Sequence, residues 1–268
     1  MNNYQTLALD IEGAVAVLTL QRPAKLNSFT GQMHEELRSA FGQIEEAIAA
    51  PQALRALVIT GAGRAFCAGQ DLSERRRGAG EPPPDVGLSL RANYNPLVTR
   101  IASLPVPVIA AVNGVAAGSG ANLALACDLV VAARSATFIQ SFSRVGLIPD
   151  AGGTWILPRL IGMARAKAMT LLGEPVGAEQ AWQWGLIWQV VDDAQLMPTA
   201  MALAHRLAGQ ATRGFALQKQ AFAASLQNSL AAQLELEAQL QVQASGTDDF
   251  REGVASFLER REPAFRGR

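Results

Sequence analysis

The stretch VPVIAAVNGVAAGSGANLALACDLVVAA, residues 106–133, decides the fold. Residues 106–112 form a β-branched apolar run, entered by Pro105 and closed by Asn113-Gly114. A short apolar run between breakers reads as a buried strand. Residues 118–126 carry a helix signal, and 129–133 return to strand character. Strand, helix and strand in immediate succession form the unit of a parallel sheet covered by helices.

Toward the N-terminus the same alternation holds. Residues 54–60, LRALVIT, read as a buried strand ending at Gly61. Residues 29–49 are helical, because Met33, Leu37, Phe41, Ile44 and Ile48 recur at three- and four-residue steps. Residues 14–20, AVAVLTL, are a further strand, stopped by Arg22-Pro23. Toward the C-terminus the chain becomes helical after Asp150, over 160–172, 177–184, 192–208, 212–243 in one or two pieces, and 247–259. The pattern predicts an α/β core over 1–195 and a helical C-terminal region over 196–268. Residues 74–86, ERRRGAGEPPPDV, are charged and rich in Gly and Pro, and read as a mobile loop.

Composition narrows the function. Among 268 residues, 23 are basic and 23 acidic, so net charge is zero and no nucleic-acid or anionic-membrane footprint exists. Cys67 and Cys127 lack CxxC spacing, which excludes a disulfide scaffold and a structural zinc site; no metal is expected. The N-terminal MNNYQTLALDIEG has no basic-then-apolar secretory pattern. The longest apolar stretch, 101–118, is broken by Pro105, Pro107 and Asn113 and is no membrane span, so a cytoplasmic protein is expected. Only 17% of residues are charged and 49% are hydrophobic. That balance implies surface hidden in subunit contacts or around an apolar ligand.

Three segments are candidates for chemistry. Two glycine-containing turns each follow a strand: GAGRAFCAGQDL at 61–72 and NGVAAGSGAN at 113–122. Loops at strand C-termini gather on one edge of a parallel sheet, where ligands bind. A helix start there exposes unpaired N–H groups with partial positive charge. Two such groups aimed at one carbonyl oxygen would form an oxyanion hole, worth about 3–4 kcal/mol per donor. Each turn alone equally suits tight helix–sheet packing, and GSG outside a GxGxxG frame does not indicate a dinucleotide. The third segment, FSRVGLIPDAGGTW at 142–155, sets Asp150 in an apolar neighbourhood. Burial would raise its pKa and suit it to accept and return a proton, or it caps the turn or the next helix. His34 and His205 lack an acidic partner at ligand spacing and read as surface or packing residues. A Cys67–His34 nucleophilic pair is the competing use of His34.

Together, RPAKLNSF at 22–29, AFCAGQDL at 65–72, NGVAAGSGANLALACDLVVAA at 113–133, GLIPDAGGTWILPRLIG at 146–162 and DFREGVASFLERREPAF at 249–265 resemble the enoyl-CoA hydratase/isomerase, or crotonase, family. The resemblance implies a spiral of ββα units whose helical C-terminal region builds a homotrimer or a hexamer of paired trimers. It implies stabilisation of a coenzyme-A thioester enolate, with CoA part of the substrate and no separate cofactor. By motif position the oxyanion hole falls on the backbone N–H groups of Ala68 and Ser119. CoA would run along Ala24, Lys25, Leu26, Ala65, Gln70, Asp71 and Leu72. Phe257 and Arg260 match positions that reach a neighbouring subunit's CoA, with Arg260 where the family commonly has Lys. The run Arg75-Arg76-Arg77 is a solvated helix end or a local attraction for CoA phosphates.

Departures from the family pattern select the chemistry. Hydratases use two glutamates to activate one water, and their positions correspond to Asn122 and Phe142. Neither can deprotonate water or protonate C2. Both are left to face substrate, with Trp155 and Phe138 beside them as pocket walls or as core. Asp150 stands where many hydratases carry Gly, and one carboxylate suffices to move a proton between two carbons. With GLIWQVVDD at 185–193, the pattern resembles the family branch that turns ring-1,2-epoxyphenylacetyl-CoA into an oxepin thioester in phenylacetate breakdown and shifts enoyl-CoA double bonds. The alternatives are an enoyl-CoA hydratase with an atypical site and a non-catalytic member that binds CoA esters or RNA. Zero net charge opposes RNA.

Overall fold

The computed structural model describes residues 4–50, 53–76 and 85–268. Its strands come in pairs that feed two sheets. β1 (Leu7–Glu12) and β2 (Val15–Leu20) form an antiparallel hairpin and lead into α1 (Gly31–Ala49). Thr30 caps α1, its hydroxyl accepting the Met33 N–H at 3.2 Å. The next pair is β3 (Ala56–Gly61) and β4 (Ala65–Cys67), followed by α2 (Val86–Ser89), a single π-type turn over Leu90–Tyr94, and α3 (Asn95–Ser103). β5 (Val108–Val112), β6 (Val115–Ala117) and α4 (Ser119–Leu125) repeat the unit. β7 (Leu129–Ala133), β8 (Thr137–Ile139) and α5 (Gly153–Leu172) repeat it again. β9 (Pro175–Gly177), α6 (Ala178–Gln183) and β10 (Gln189–Val191) close the sheets.

The larger sheet has the order β1-β2-β3-β5-β7-β10, parallel from β2 onward. The smaller has the order β4-β6-β8-β9. After the β1-β2 hairpin, which lies wholly in the larger sheet, each of the three ββα units from β3 to α5 adds one strand to each sheet, which is the spiral the family resemblance implies. β3 and β5 are buried along their whole length, so they read as continuous apolar runs rather than alternating ones.

α7 (Leu196–Ala208) corrects the boundary drawn at 195/196. It packs on β2, β3, β5 and β7 and buries Leu196, Ala200, Ala204 and Ala208. The region that stands off the sheets begins only after Ala208. It comprises α8 (Thr212–Ser225), α9 (Leu230–Ser245) and α10 (Asp248–Glu259), whose exposed apolar side chains include Phe222, Leu230, Val242, Phe257 and Leu258. Two polar ties hold it to the core. Lys219 Nζ donates to Asp128 at 2.7 Å, and Arg55 donates to Thr212 Oγ1 at 3.3 Å and to the Phe265 carbonyl at 3.0 Å. Of the charged loop at 74–86, residues 77–84 lie outside the described residues. No helix among the described residues is long and apolar enough to cross a membrane.

Candidate active site

The turns after β4 and β6 meet because glycines let their backbones touch. Gly69 has φ +86°, and a Cβ there would lie 2.9 Å from the Ala117 oxygen. A Cβ on Gly120 would lie 2.2 Å from the Cys67 oxygen. The same approach brings Gly69 beside the Ser119 nitrogen, which a Cβ at 69 would face at 3.6 Å. Ser119 is the first residue of α4, so its N–H has no partner within the helix.

Ala68 is not the second donor that motif position implied. Its N–H donates to the Leu26 carbonyl at 2.9 Å and is not available to a ligand. The open N–H belongs to Gln70. Phe29 brackets that residue, donating to Gly69 O at 2.8 Å and accepting from the Asp71 N–H at 2.9 Å. In such a parallel bridge the Gln70 N–H points away from Phe29, and it finds no acceptor among the described residues.

Asp150 opens a tight turn into α5. Its carbonyl accepts the Gly153 N–H at 2.8 Å, and the two central residues are left-handed, Ala151 at φ +47° and Gly152 at φ +84°. Asn122, on α4, donates from Nδ2 to the same carbonyl at 2.8 Å. Gln140 Nε2 in turn donates to Asn122 Oδ1 at 2.8 Å. Asn122 is fully buried, so it holds the Asp150 turn rather than facing substrate. Asp150 Oδ1 is itself buried and finds no partner among the described residues. Burial pushes this carboxyl up to about 6, against the opposing pull of the Arg75 cation.

Tyr94 and Gln140, which the sequence did not mark, join these groups, and so does Arg75, read from sequence as a helix end or a phosphate contact. The Tyr94 hydroxyl donates to Gln70 Oε1 at 2.6 Å. Burial pushes its pKa up, with the Ser119 hydroxyl bonded to it and the Asp150 charge nearby, so it stays a neutral phenol. Its ring meets Phe29 edge-on at 5.4 Å and His34 at 4.5 Å. Arg75 donates to Ser89 Oγ at 2.8 Å and faces Asp150 electrostatically, so it is not a purely solvated helix end. Tyr94 follows an aperiodic loop, which carries no pattern to mark it. The signal for Gln140 was present: a lone amide in the run Phe138-Ile139-Gln140-Ser141-Phe142.

The remaining predicted residues separate. Ala24 and Lys25 are exposed in a turn at the rim, and Leu26 follows at φ +49°. Leu72 is exposed. Asp71 caps the 3₁₀ turn over Leu72–Arg75; the Ser73 hydroxyl and Arg22, the latter at 3.1 Å, hold its carboxyl below the usual range. Ala65 is buried with its carbonyl accepting from Asn27 Nδ2 at 2.7 Å, so it supports the loop instead of lining a groove. Phe142 is buried beside Gly118, where a Cβ would meet its ring at 3.6 Å, and Phe138 belongs to the core. Trp155 is half exposed under the Arg159 guanidinium at 4.1 Å. Phe257 and Arg260 lie on and just after α10, where Phe257 borders Ala211, Gly214 and Phe265 rather than the Asp150 turn.

Cys67 and His34 form no nucleophilic pair. The thiol donates to the Asn27 carbonyl at 3.1 Å, and burial pushes it up to about 12. Burial, then Arg38 and Arg75, push His34 down to about 4, and its ring stacks on Phe29. Among the described residues no cluster of His, Cys, Asp and Glu could hold a metal. The arrangement places two N–H groups without acceptors among the described residues, those of Gln70 and Ser119, on turns in contact, together with a carboxyl raised toward neutral pH.

Known proteins resemble this chain over nearly its whole length. The profile described as enoyl-CoA hydratase/isomerase matches residues 10–268. The chain is 53% identical to the 1,2-epoxyphenylacetyl-CoA isomerase of Escherichia coli K12, over 96% of this chain and 97% of that protein. It is 50% identical to a probable enoyl-CoA hydratase of Rhodobacter capsulatus, over 99% of this chain and 100% of that one. The crystal structure of an enoyl-CoA hydratase from Bacillus anthracis superposes with a TM-score of 0.90 at 35% identity, covering 98% of this chain and 100% of that one.

Proposed function

The chain belongs to the enoyl-CoA hydratase/isomerase family, and from that premise we propose that it is an acyl-CoA isomerase with Asp150 as its proton-shuttling base. The substrate class is a CoA thioester with an acidic C2–H, and ring-1,2-epoxyphenylacetyl-CoA, going to the oxepin thioester, is the first candidate. The thioester oxygen accepts from the N–H groups of Gln70 and Ser119. The Asp150 carboxylate removes the C2 proton, and the negative charge moves onto that oxygen. Each donor contributes about 3–4 kcal/mol there, because it is already oriented in a site shielded from water. For the ring epoxide, the ring carbon–carbon bond bridged by the epoxide oxygen opens and its electrons join the conjugated system of the oxepin. The electron pair left at C2 shifts along that system, and Asp150 returns the same proton to a ring carbon. For an enoyl thioester only the double bond moves. No atom is gained or lost, as an isomerisation requires.

One observation carries this reading. The half-buried Asp150 carboxyl lies near Tyr94, whose hydroxyl bonds the side chains of Gln70 and Ser119, while Asn122 is locked into a hydrogen-bond network and Phe142 is apolar. Water addition needs a second acid–base group that neither position supplies. Asp150→Asn should abolish turnover of the ring-epoxide thioester and of a 3-enoyl-CoA while CoA-ester binding survives. Near-wild-type turnover by that variant would remove Asp150 from the mechanism. Rapid hydration of crotonyl-CoA by the wild type would instead favour a hydratase.

We also propose that the chain assembles as a trimer or a pair of trimers. The support is the apolar surface of α8–α10, with Phe257 82% exposed. In that assembly Phe257 and Arg260 would reach a neighbour's CoA, and Ala24, Lys25 and Leu72 would flank the CoA of their own chain. Sedimentation that gives a monomer at micromolar concentration would exclude it.

A further inference from the structure

We infer that Asn122 and Gln140 are positioning residues that lock the Asp150 turn to the helix carrying the Ser119 N–H, so that base and oxyanion hole move as one body. The inference rests on the reading of Asp150 as the base. Ser119 and Asn122 lie on the same seven-residue helix, α4, separated by one turn. Residues three apart on a helix share a face. One end of that face presents an open N–H, and the other end holds the backbone of the base.

Four contacts make the lock. Asn122 Nδ2 reaches the Asp150 carbonyl at 2.8 Å, the oxygen that also closes the turn from Gly153. Gln140 Nε2 occupies Asn122 Oδ1 at 2.8 Å, so the amide of Asn122 can only present its N–H side to Asp150. Gly153 lies directly against Asn122, where a Cβ would come within 2.4 Å of Nδ2. The segment bearing Gln140 is tied to the same helix start, since the Gly118 N–H donates to Ile139 O at 2.8 Å. Both amides are fully buried.

A lock is needed because the turn is strained. Ala151 is an L-residue at φ +47°, a conformation that costs about 1–2 kcal/mol and persists only where neighbours over-determine it. Without the amide pair the turn can relax, and the Asp150 carboxyl leaves its place relative to the N–H pair. A misplacement of about 1 Å can cost about a hundredfold in rate.

The test uses Asn122→Leu and Gln140→Met, which keep approximate size and remove the amide. Gln140→Met touches Asp150 only through Asn122 and carries the test if Asn122→Leu does not fold. Each variant should lower kcat at least tenfold with KM within about threefold of wild type. The acid limb of the kcat–pH profile should move to lower pH by half a unit or more, as water reaches the loosened carboxyl. The double variant should be no slower than the slower single one. Infrared titration, wild type minus Asp150→Asn, reads the same carboxyl without any substrate. If the wild type turns over no acyl-CoA, the function is wrong and the titration still decides the lock. An unshifted carboxyl, or kcat unchanged in folded Gln140→Met, overturns it.

Discussion

As the proposed base, Asp150 joins two properties that conflict in most carboxyls. Its environment penalises the charge, yet a base must carry one. With the carboxyl raised to about 6, the working carboxylate forms only as pH rises through that value. Activity on a C2–H acidic thioester should therefore climb between pH 5 and 7 and then level, as kcat/KM against pH would show. The same shift acts on stability with the opposite sign. The unfolded carboxyl ionises near 3.8 and the folded one near 6, so between these values the native state holds the extra proton. Stability contributed at this site is thus lost as pH rises through that window. Asp150→Asn should melt a few degrees above wild type at pH 7 to 8, and the gap should close below pH 4. A variant that melts lower at neutral pH would mean that the charge is compensated by groups other than Arg75. Tyr94 and Arg75 belong to the same scale. Each meets the site through a single side-chain atom, and no periodicity marks such an atom.

Among the elements, the contact between β4 and α4 governs the site, and Gly120 governs the contact. A Cβ at 120 would meet the backbone oxygen of Cys67, which cannot rotate away as a side chain can. Gly120→Ala should push the two elements apart, cost about 1–3 kcal/mol by overpacking and separate the Ser119 and Gln70 N–H groups. The expected result is a kcat loss of tenfold or more beyond what the lower melting temperature explains. Gly42→Ala on α1 is the control, because nothing lies within 4 Å of a Cβ there. It should stabilise by up to about 1 kcal/mol through helix propensity and leave kcat alone. The long elements were legible in sequence. The apolar run at 129–133 coincides with β7, and the stretch 212–243, read as one or two pieces, is two, α8 and α9. The three-residue strands β4, β6 and β8 were not, because they complete barely one period of the pleat and look like parts of glycine turns. The helix read as starting at 160 begins at Gly153, with Pro158 inside it and a break at Gly162, where φ is +75°.

For the whole molecule, the question is how the outer helices are tied to the sheets. Asp128 anchors one tie at the edge of the larger sheet; partial desolvation raises its carboxyl, while Lys219 and the Val108 N–H pull it down. Lys219→Met would leave that carboxyl without its cation. The variant should lose up to about 1 kcal/mol, and the loss should grow as pH rises, since the uncompensated charge forms only on deprotonation. Melting curves from pH 5 to 8 would show it, and a pH-independent loss would point to packing instead. What the sequence by itself determined is the alternation of strands and helices, through periodicity and turn chemistry, and the family with its ββα spiral, through resemblance of motifs and their order, because these are written in neighbouring residues. Only the tertiary structure decided that Gln70 rather than Ala68 has the open N–H, that Asn122 clamps a turn instead of meeting substrate, and that α7 belongs to the core. In each case the outcome depends on an acceptor or a surface far along the chain: Leu26 for Ala68, Asp150 for Asn122, the larger sheet for α7. A donor's freedom is a property of its surroundings, and only folding assembles them.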